Sequence, residues 1–457
     1  MTSTCWRAAG EIEPPVTSLY LAESRWLRLT AFTTLYAAQG IPIGLLSIAM
    51  PAWLADRGMA LEEIAAYTAV VSLPWGFKLI AGPFMDRFTF LPMGRRRPWV
   101  LAAQGGLTLA LLPLLWAPDP MTNLYTLTIM GFVINCFSAV QDVAVDGMAI
   151  DILPADERGR ANALMAFGQA GGFSLFAAIC GTLLSRSGLP AAALACALSV
   201  GLIFLFVTLT RERIGERLLP WSEGQAAATR VAVERNFRAI FGKLLKVLLL
   251  PMSLLLTLTE VMSRFRDGIA VSVGPTFAVQ ELGYSPEVYT QFVGLAGFMA
   301  AAVGIAFGPV IDRYGAKRLI IVGLVGAMAL SFTVAATESL WSITEYVVAA
   351  WILASLFGQI LFIGMIAQYM NICWAPVAAT QFAIYMSLSN LARSIGAGLF
   401  ALVAAELSYV QIFLLMGVLL LLACASMWRF DLERHQRRLD ALDADSAGLG
   451  LRAGANP

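Results

Sequence analysis

Apolar runs of twenty residues or more alternate with short charged clusters along almost the whole chain. A helix needs about 20 residues to cross roughly 30 Å of hydrocarbon, so each run predicts one membrane-spanning helix. Twelve runs are read, near residues 29–54, 63–85, 98–117, 122–152, 160–185, 190–210, 248–280, 287–311, 317–336, 343–370, 377–405 and 408–428. Pro118-Asp119-Pro120 predicts a tight turn between the third and fourth spans, and Gly188-Leu189-Pro190 another between the fifth and sixth. Residues 211–247 break the rhythm: they are polar and basic, and long enough to link two halves. Within them, Val231, Val233, Phe237, Ile240, Phe241 and Leu244 alternate at helical spacing with Arg230, Arg235, Arg238 and Lys243, which predicts an amphipathic helix on the membrane surface. The reading is therefore an all-α integral membrane protein. It has a segment 1–28, a six-helix bundle 29–210, a linker 211–247, a second six-helix bundle 248–428 and a partly disordered tail 429–457.

Charge sets the orientation. Arg95, Arg96, Arg97, Arg158, Arg160, the basic linker, Lys317 and Arg318 fall in alternate loops, while the other loops hold only Arg57 and Arg186 among acids such as Glu62, Glu63, Glu281, Glu287 and Glu338. Basic loops stay inside, which predicts that both termini are cytoplasmic. Residues 1–25 are mixed polar and carry Pro14-Pro15, so no cleavable signal is read and the first span is expected to direct insertion. Composition agrees with a membrane protein: 59% of residues are apolar and 13% charged. The net charge of +1 shows no basic domain, so nucleic acid is not an expected partner. The cysteines Cys5, Cys136, Cys180, Cys196, Cys373 and Cys424 show no metal-ligand spacing and read as packed hydrophobes. Neither a metal nor a cofactor is expected. No His-Glu-x-x-His, phosphate loop or loop-borne His/Asp/Glu set is present, which argues against an enzyme.

One phrase occurs twice. Gly82-Pro83-Phe84-Met85-Asp86-Arg87-Phe88 returns as Gly308-Pro309-Val310-Ile311-Asp312-Arg313-Tyr314, and basic runs opening with glycine follow, Gly94-Arg95-Arg96-Arg97 and Gly315-Ala316-Lys317-Arg318. Each copy sits after the second span of its half, so the halves are repeats, the usual construction of a secondary transporter. Asp86, Arg87, Arg95, Asp312, Arg313 and Arg318 are expected to gate, pairing with neighbouring helix ends in one conformation and releasing them in the other. This doubled motif resembles that of the major facilitator superfamily, which implies two pseudo-symmetric six-helix bundles. A narrower resemblance is to the AmpG and acetyl-CoA transporter branch. It rests on Tyr36…Gln39-Gly40-Ile41-Pro42-Ile43-Gly44-Leu45, Phe77-Lys78, Gly94-Arg95-Arg96-Arg97-x-Trp99, Gln141-Asp142-Val143-Ala144-Val145-Asp146 with Asp151, Asp156-Glu157-Arg158-Gly159 and Ala379-Thr380-Gln381-Phe382-Ala383. The branch implies proton-coupled import of anhydro-muropeptides, with acetyl-CoA and siderophores carried by relatives. Met148 and Ala149 stand where AmpG-like chains place an aromatic and a base.

A charge at the bilayer centre costs roughly 3 kcal/mol, so each one needs a reason. Eight stand out, away from the ends of the predicted spans: Lys78, Asp142, Asp146, Glu260, Arg264, Arg266, Asp267 and Arg393. Lys78 and Asp142 lie at similar depths, about 12 Å from the cytoplasmic boundary at 1.5 Å per residue, which predicts an ion pair. Asp142 and Asp146 share one helix face and repel; a shared proton relieves that repulsion. Glu260, Arg264 and Asp267 share a face of the seventh span, with Glu before Arg in the favourable order. Arg266 points elsewhere and, like Arg393, is read as lacking a partner on its own helix. The eight charges sum to zero and also fit a set of structural ion pairs; Lys78 and Arg264 suit either role. Asp142, Asp146, Glu260 and Asp267 are the expected proton carriers, because the single histidine, His435, falls in the tail and reads as solvated. Lys78, Arg264, Arg266 and Arg393 are expected to bind an anionic cargo, and Gln39, Gln141, Gln381 and Asn390 to hydrogen-bond its polar groups. Glycines and prolines in the first span (Gly40, Pro42, Gly44, Pro51) and the seventh (Gly268, Gly274, Pro275) mark either interrupted, cavity-lining helices or close packing.

The expectation is a monomeric, proton-coupled importer of the bacterial inner membrane that rocks two bundles around a central cavity. The cargo is a large polar anion, first an anhydro-muropeptide, otherwise a siderophore or acyl-CoA. A non-transporting membrane sensor or assembly factor is the rival of another class.

Overall fold

The structure is a computed structural model that describes residues 19–88, 90–154, 157–224, 237–305, 310, 313–374 and 377–453. Among these residues the chain is helical, with one isolated β-bridge between Tyr20 and Arg211. Helix α1 (Arg25–Asp56) starts where the Ser24 hydroxyl accepts the Leu27 N–H. Helix α2 runs from Leu61 to Ser72, tightens over Leu73–Phe77 and resumes over Lys78–Arg87. Helix α3 (Arg97–Leu111) and α4 (Leu124–Ile152) follow. Arg158–Leu209 is hydrogen-bonded as a single helix of 52 residues, about 78 Å at 1.5 Å per residue and so too long for one crossing. It folds back at Gly188, whose φ of 78° suits glycine, just before Pro190, which has no N–H to give. Its two limbs are α5 (158–187) and α6 (189–209). Then come α7 (Phe237–Leu248), α8 (Pro251–Thr276), α9 (Pro286–Ile305), α10 (Ala316–Ala336), α11 (Thr344–Ile372), α12 (Ala378–Ala401), α13 (Tyr409–Arg429) and α14 (Leu432–Ala453).

Each of the twelve predicted spans falls on one of these helices. Among the described residues eight stretches are long and apolar enough to cross a bilayer, α5 and α6 counting as one, or nine when Phe241–Leu248 and Pro251–Glu281 count together. The helices expected to be interrupted are continuous: α1 absorbs Pro42 in a wide π-turn over Leu45–Ala49, and α8 absorbs Pro275 in one over Phe277–Glu281. A proline inside a helix removes a hydrogen bond, and a π-turn re-registers the ladder without ending it.

Four of the five buried apolar clusters among the described residues divide the molecule. One is built only from residues before 210 (Phe32, Leu35, Val100, Val145, Met165), another only from residues after 250 (Leu256, Leu324, Met365, Leu420). Both lie at the end where α1 begins and α13 finishes, the near end. At the opposite, far end the halves mix: Ala278, Val279 and Tyr289 join the first half's cluster, and Ala65 joins the second's.

Of the two segments outside the bundles, the linker forms a helix within the predicted amphipathic stretch and the tail differs from expectation. Helix α7 sits at 77° to the start of α8, as a surface helix would, and buries Leu244 and Val247 against Trp374 and Val377; the rest of the predicted amphipathic stretch, residues 225–236, lies outside the described residues. The tail forms α14 where disorder was expected. His435 on it is fully buried, with Nε2 3.0 Å from the Ile372 carbonyl oxygen, and burial lowers its pKa. Asp443 accepts the Trp374 indole N–H at 2.7 Å. Docking against α11 removes His435 from the solvent in which the sequence placed it.

Candidate functional site

Helix α2 changes its hydrogen-bond pattern where its charged residue begins. Pro74 lacks an N–H, and the tight turn Leu73–Phe77 delivers Lys78 as the first residue of the resumed helix. Lys78 Nζ lies 2.5 Å from Asp142 Oδ2 on α4, the side chains 16% and 5% exposed, so the predicted pair is formed. The ammonium also stands 5.3 Å from the centre of the Trp75 ring. One turn further along α4, Asp146 accepts a hydrogen bond from the Tyr36 hydroxyl of α1 and is exposed. One lysine therefore faces two carboxylates. This cluster carries one negative charge in excess.

The second cluster is built on α8. Arg264 Nε meets Glu260 Oε1 at 2.8 Å, and its Nη1 meets Asp267 Oδ2 at 3.0 Å. Ser389 of α12 donates to Glu260 Oε1 at 2.5 Å, and the Arg264 guanidinium lies 5.5 Å from the Phe362 ring centre. Arg266, expected to lack a partner on its own helix, reaches Asp267 Oδ1 with Nη1 at 3.2 Å. Neighbouring residues diverge by about 100° on a helix, but an arginine is long enough to bend back across that angle. Arg393 of α12 has no hydrogen-bond or ion-pair partner among the described residues. Three guanidiniums thus face two carboxylates, leaving one positive charge in excess. The clusters adjoin through α2 and α12: a side chain on Gly76 would meet Leu391 Cβ at 3.0 Å, two residues along the chain from Lys78 and Arg393 respectively.

The amides are placed differently. Gln39, Gln141 and Gln381 are fully buried. Gln39 Oε1 accepts from Gln169 of α5 at 2.9 Å, and Gln141 donates to the Leu35 carbonyl of α1 at 3.0 Å. Gln381 accepts the Trp374 N–H at 2.8 Å and donates to the Ile372 carbonyl at 3.2 Å. All three bind neighbouring backbone or side chains. Asn390 donates to Met386 on its own helix at 3.0 Å. The glycines of α1 and α8 serve close packing: a Cβ on Gly40 would lie 2.3 Å from the Gln169 carbonyl, and one on Gly268 2.2 Å from the Arg393 carbonyl.

The doubled loops anchor the near end. Gly94 and Gly315 take φ of 100° and 81°, which glycine adopts without strain, and α3 and α10 start just behind them. Arg95 Nη1 reaches Asp151 Oδ1 at 3.4 Å, at the end of α4, and Arg96 Nε reaches the same carboxylate at 3.5 Å. Glu212 of the linker accepts the backbone N–H groups of Arg95, Arg96 and Arg97 at 3.2, 2.9 and 2.6 Å, capping the exposed donors of α3. Burial, aided by Glu212 nearby, pushes the Glu216 carboxyl up to about 7. The Arg28 guanidinium grips Glu157 through Nε at 3.0 Å and Nη2 at 2.8 Å. Arg87 lies over the Phe88 ring and Arg313 over Tyr314; Arg318 is exposed. The Asp86 side chain and Asp312 lie outside the described residues. In the second half Lys317 donates to the carbonyls of Trp428 and Phe430, at 3.2 and 2.5 Å.

Sequence reading gave no role to Tyr36, Ser389 or Glu212, because their partners lie 110, 129 and 115–117 residues away. Tyr36 carried one signal: it lies one turn before Gln39 on the face that meets α4. Among the described residues every hydrogen bond and ion pair between the halves lies at the far end. Arg186 Nη2 meets Glu287 Oε1 at 2.8 Å, and Gln280 donates to the carbonyls of Ala55 and Met59, both at 2.9 Å. Among the described residues no three His, Cys, Asp or Glu side chains converge as a metal site.

The sequence profile of the Major Facilitator Superfamily matches residues 32–262 and 256–453. An anhydromuropeptide permease of Escherichia coli (strain K12) is 29% identical over 392 residues, 83% of this chain and 74% of the relative. An uncharacterized protein of Haemophilus influenzae is 27% identical over 85% of this chain and 91% of its own length. A putative transporter, AmpG 4, of Rickettsia conorii is 26% identical over 80% and 87%. Among solved structures, the nucleoside transporter NupG aligns with a TM-score of 0.67 at 10% identity, over 88% of this chain and all of that one. A D-xylose-proton symporter aligns at 0.65 and 14% identity, over 88% and 97%. At those identities the likeness is one of fold.

Proposed function

This chain belongs to the Major Facilitator Superfamily of membrane transporters, and from that premise we propose that it imports a large polar anion together with a proton, the cargo being an anhydro-muropeptide or a related cell-wall fragment. The observation that carries this reading is the split of charge between the clusters. One surplus negative charge lies on the Lys78–Asp142–Asp146 side and one surplus positive charge on the Glu260–Arg264–Arg266–Asp267–Arg393 side.

Each surplus has a ligand that removes it. A proton on Asp146, beside the Tyr36 hydroxyl, neutralises the first. An anionic group of the cargo neutralises the second at Arg393 and Arg266, while Glu260 and Asp267 hold the guanidiniums in place. A protein cavity that must close around its contents tolerates net charge poorly, so closure is favoured when both ligands are bound. That condition couples the two fluxes. The positively charged loops at the near end support a cytoplasmic side there, and with it cytoplasmic termini. The far-end bonds between the halves and the separate near-end cores support a conformation open to the cytoplasm. Acid in the periplasm then loads the proton, and release follows at the near end. The cell-wall cargo is supported by the permease and the AmpG-named transporter among the relatives.

The test is uptake into proteoliposomes of oriented protein under an imposed pH gradient, offering anhydro-muropeptide, a ferric siderophore and an acyl-CoA separately. Accumulation of the muropeptide, driven by acid on the far side, is the expected result. Uptake indifferent to the gradient removes the coupling; accumulation of another cargo in its place removes the substrate.

A further inference from the structure

The second cluster borders a partly open space that no step above uses. It is a cavity of about 70 Å³ whose lining includes Phe277, Trp341, Tyr346, Trp351, Phe413 and Arg266. The walls are fixed. Phe277 meets the Trp341, Tyr409 and Phe413 rings at centroid distances of 4.9, 5.1 and 5.2 Å, so the space does not collapse when empty. The wall offers little polarity. The Trp341 indole N–H donates to the Val334 carbonyl, the Tyr346 hydroxyl bonds Thr337, and the Ser331 hydroxyl donates to the Ala327 carbonyl. A sugar ring would lose its hydrogen bonds to water there without replacement.

Arg266 is the exception. Its Nη1 is held by Asp267, but its Nε is buried with no partner. A guanidinium presents Nε and one terminal nitrogen as a flat fork that fits a carboxylate in two parallel bonds. Because Asp267 also pairs with Arg264, the two arginines share its single negative charge, and an incoming carboxylate meets an underneutralised cation. The volume limits what accompanies it. An apolar cavity of about 150 Å³ holds benzene and water fills about 30 Å³, so this one suits two or three carbon-sized groups.

Resting on the import reading above, we propose that this cavity is a subsite for one end of the cargo: a terminal carboxylate on Arg266, with a small aliphatic side chain beside it in the aromatic chamber. The cargo is thereby read at its peptide end, and its sugar stays in the central cavity.

The experiment uses purified full-length protein in two assays. In proteoliposomes, muropeptides ending in alanine, in alaninamide and in glycine are compared. The KM for the acid is expected to be about tenfold below that for the amide, the scale of one charge-assisted bond, and Arg266→Gln is expected to erase that difference. Ala350→Phe, which adds bulk to the chamber lining and keeps the arginine, is expected to raise the KM for alanine-ended cargo and spare the glycine-ended one. Equal KM values for acid and amide in the wild type overturn the subsite, as does an Ala350→Phe effect equal for both residues. In the second assay, N-acetyl-alanine and its amide are titrated in a thermal-shift measurement, which needs no transport. Stabilisation by the acid alone, lost in Arg266→Gln and in Arg266→Ala, supports the subsite even if no cell-wall fragment is carried. An acid and an amide that behave alike overturn it even if transport is confirmed.

Discussion

Two carboxylates one helical turn apart meet different partners, and the difference separates their roles. Asp142 is buried against Lys78, and Asp146 is exposed and held by a neutral phenol. Asp146 can therefore gain or lose a proton without stranding a partner charge, and Asp142 cannot. Asp146→Asn is expected to abolish gradient-driven accumulation while leaving exchange of labelled for unlabelled cargo, measured in the same vesicles. Asp142→Asn removes the bonded partner of a largely buried ammonium and leaves it only Asp146, at a cost of up to about 3–5 kcal/mol, and Lys78→Met added to it is expected to recover most of that loss. Thermal unfolding in detergent reads both; an Asp142→Asn protein that melts like the wild type would break the assignment. The Lys78–Asp142 pair was legible in the sequence because depth along two helices is arithmetic, and so was the Glu260–Arg264–Asp267 face. The Tyr36–Asp146 bond was not, since it depends on which faces of α1 and α4 meet. Arg266 was read as partnerless because helical spacing counts Cβ directions and not the reach of a long side chain.

Helices were the best-predicted level, because the length of an apolar run is set by the thickness of the bilayer. What the runs could not show was how helices cross. Glycines on α1 and α5 pack backbone against backbone, and so do glycines on α8 and α12: a Cβ on Gly168 would sit 2.3 Å from the Thr33 carbonyl, and one on Gly396 2.5 Å from the Phe265 Cα. Gly172, whose Cβ would sit 2.4 Å from the Ala37 carbonyl, corresponds to Gly396 as Gly40 does to Gly268, so the same crossing is built in each half. Gly40→Ala and Gly268→Ala are expected to destabilise by about 1–3 kcal/mol, the usual cost of overpacking. Gly358→Ala on α11, where a Cβ meets nothing within 4 Å, is expected to be neutral or mildly stabilising. Melting temperatures of the three variants check this, and similar gains in all three would show that helix propensity, not close approach, sets these positions. Helix α14 escaped the sequence reading because Ala, Gly and charge looked like a disordered tail. Yet Leu432, His435, Leu439 and Leu442 recur at helical spacing, and His435, Leu439 and Leu442 are among the residues that pack against the second half.

At the scale of the whole molecule, the repeat predicted two similar halves but not which end would be joined, because the sequence is the same in every state of the cycle. The joined end is held by two kinds of bond with unequal strength. Arg186–Glu287 is largely exposed on the arginine side, 68%, and exposed pairs contribute at most about 1 kcal/mol. Gln280 is itself exposed, but its two hydrogen bonds to backbone carbonyls of the other half are partly buried, and its removal leaves both acceptors without that partner. Losing two such bonds costs about 1–3 kcal/mol. Gln280→Leu is therefore expected to raise the population open at the far end about tenfold, and Glu287→Gln no more than about fivefold. Spin labels at Met121 and Leu340, exposed on far-end loops of opposite halves, give the distance distribution that measures it. A larger shift from Glu287→Gln would place the latch in the ion pair and make it sensitive to salt, whereas a latch built on Gln280 keeps its strength as ionic strength rises. The same distributions recorded with cargo and proton added separately and together connect the latch to the clusters. If charge neutrality governs closure of the near end, only the combination moves the halves, because either ligand alone leaves one surplus charge inside the membrane.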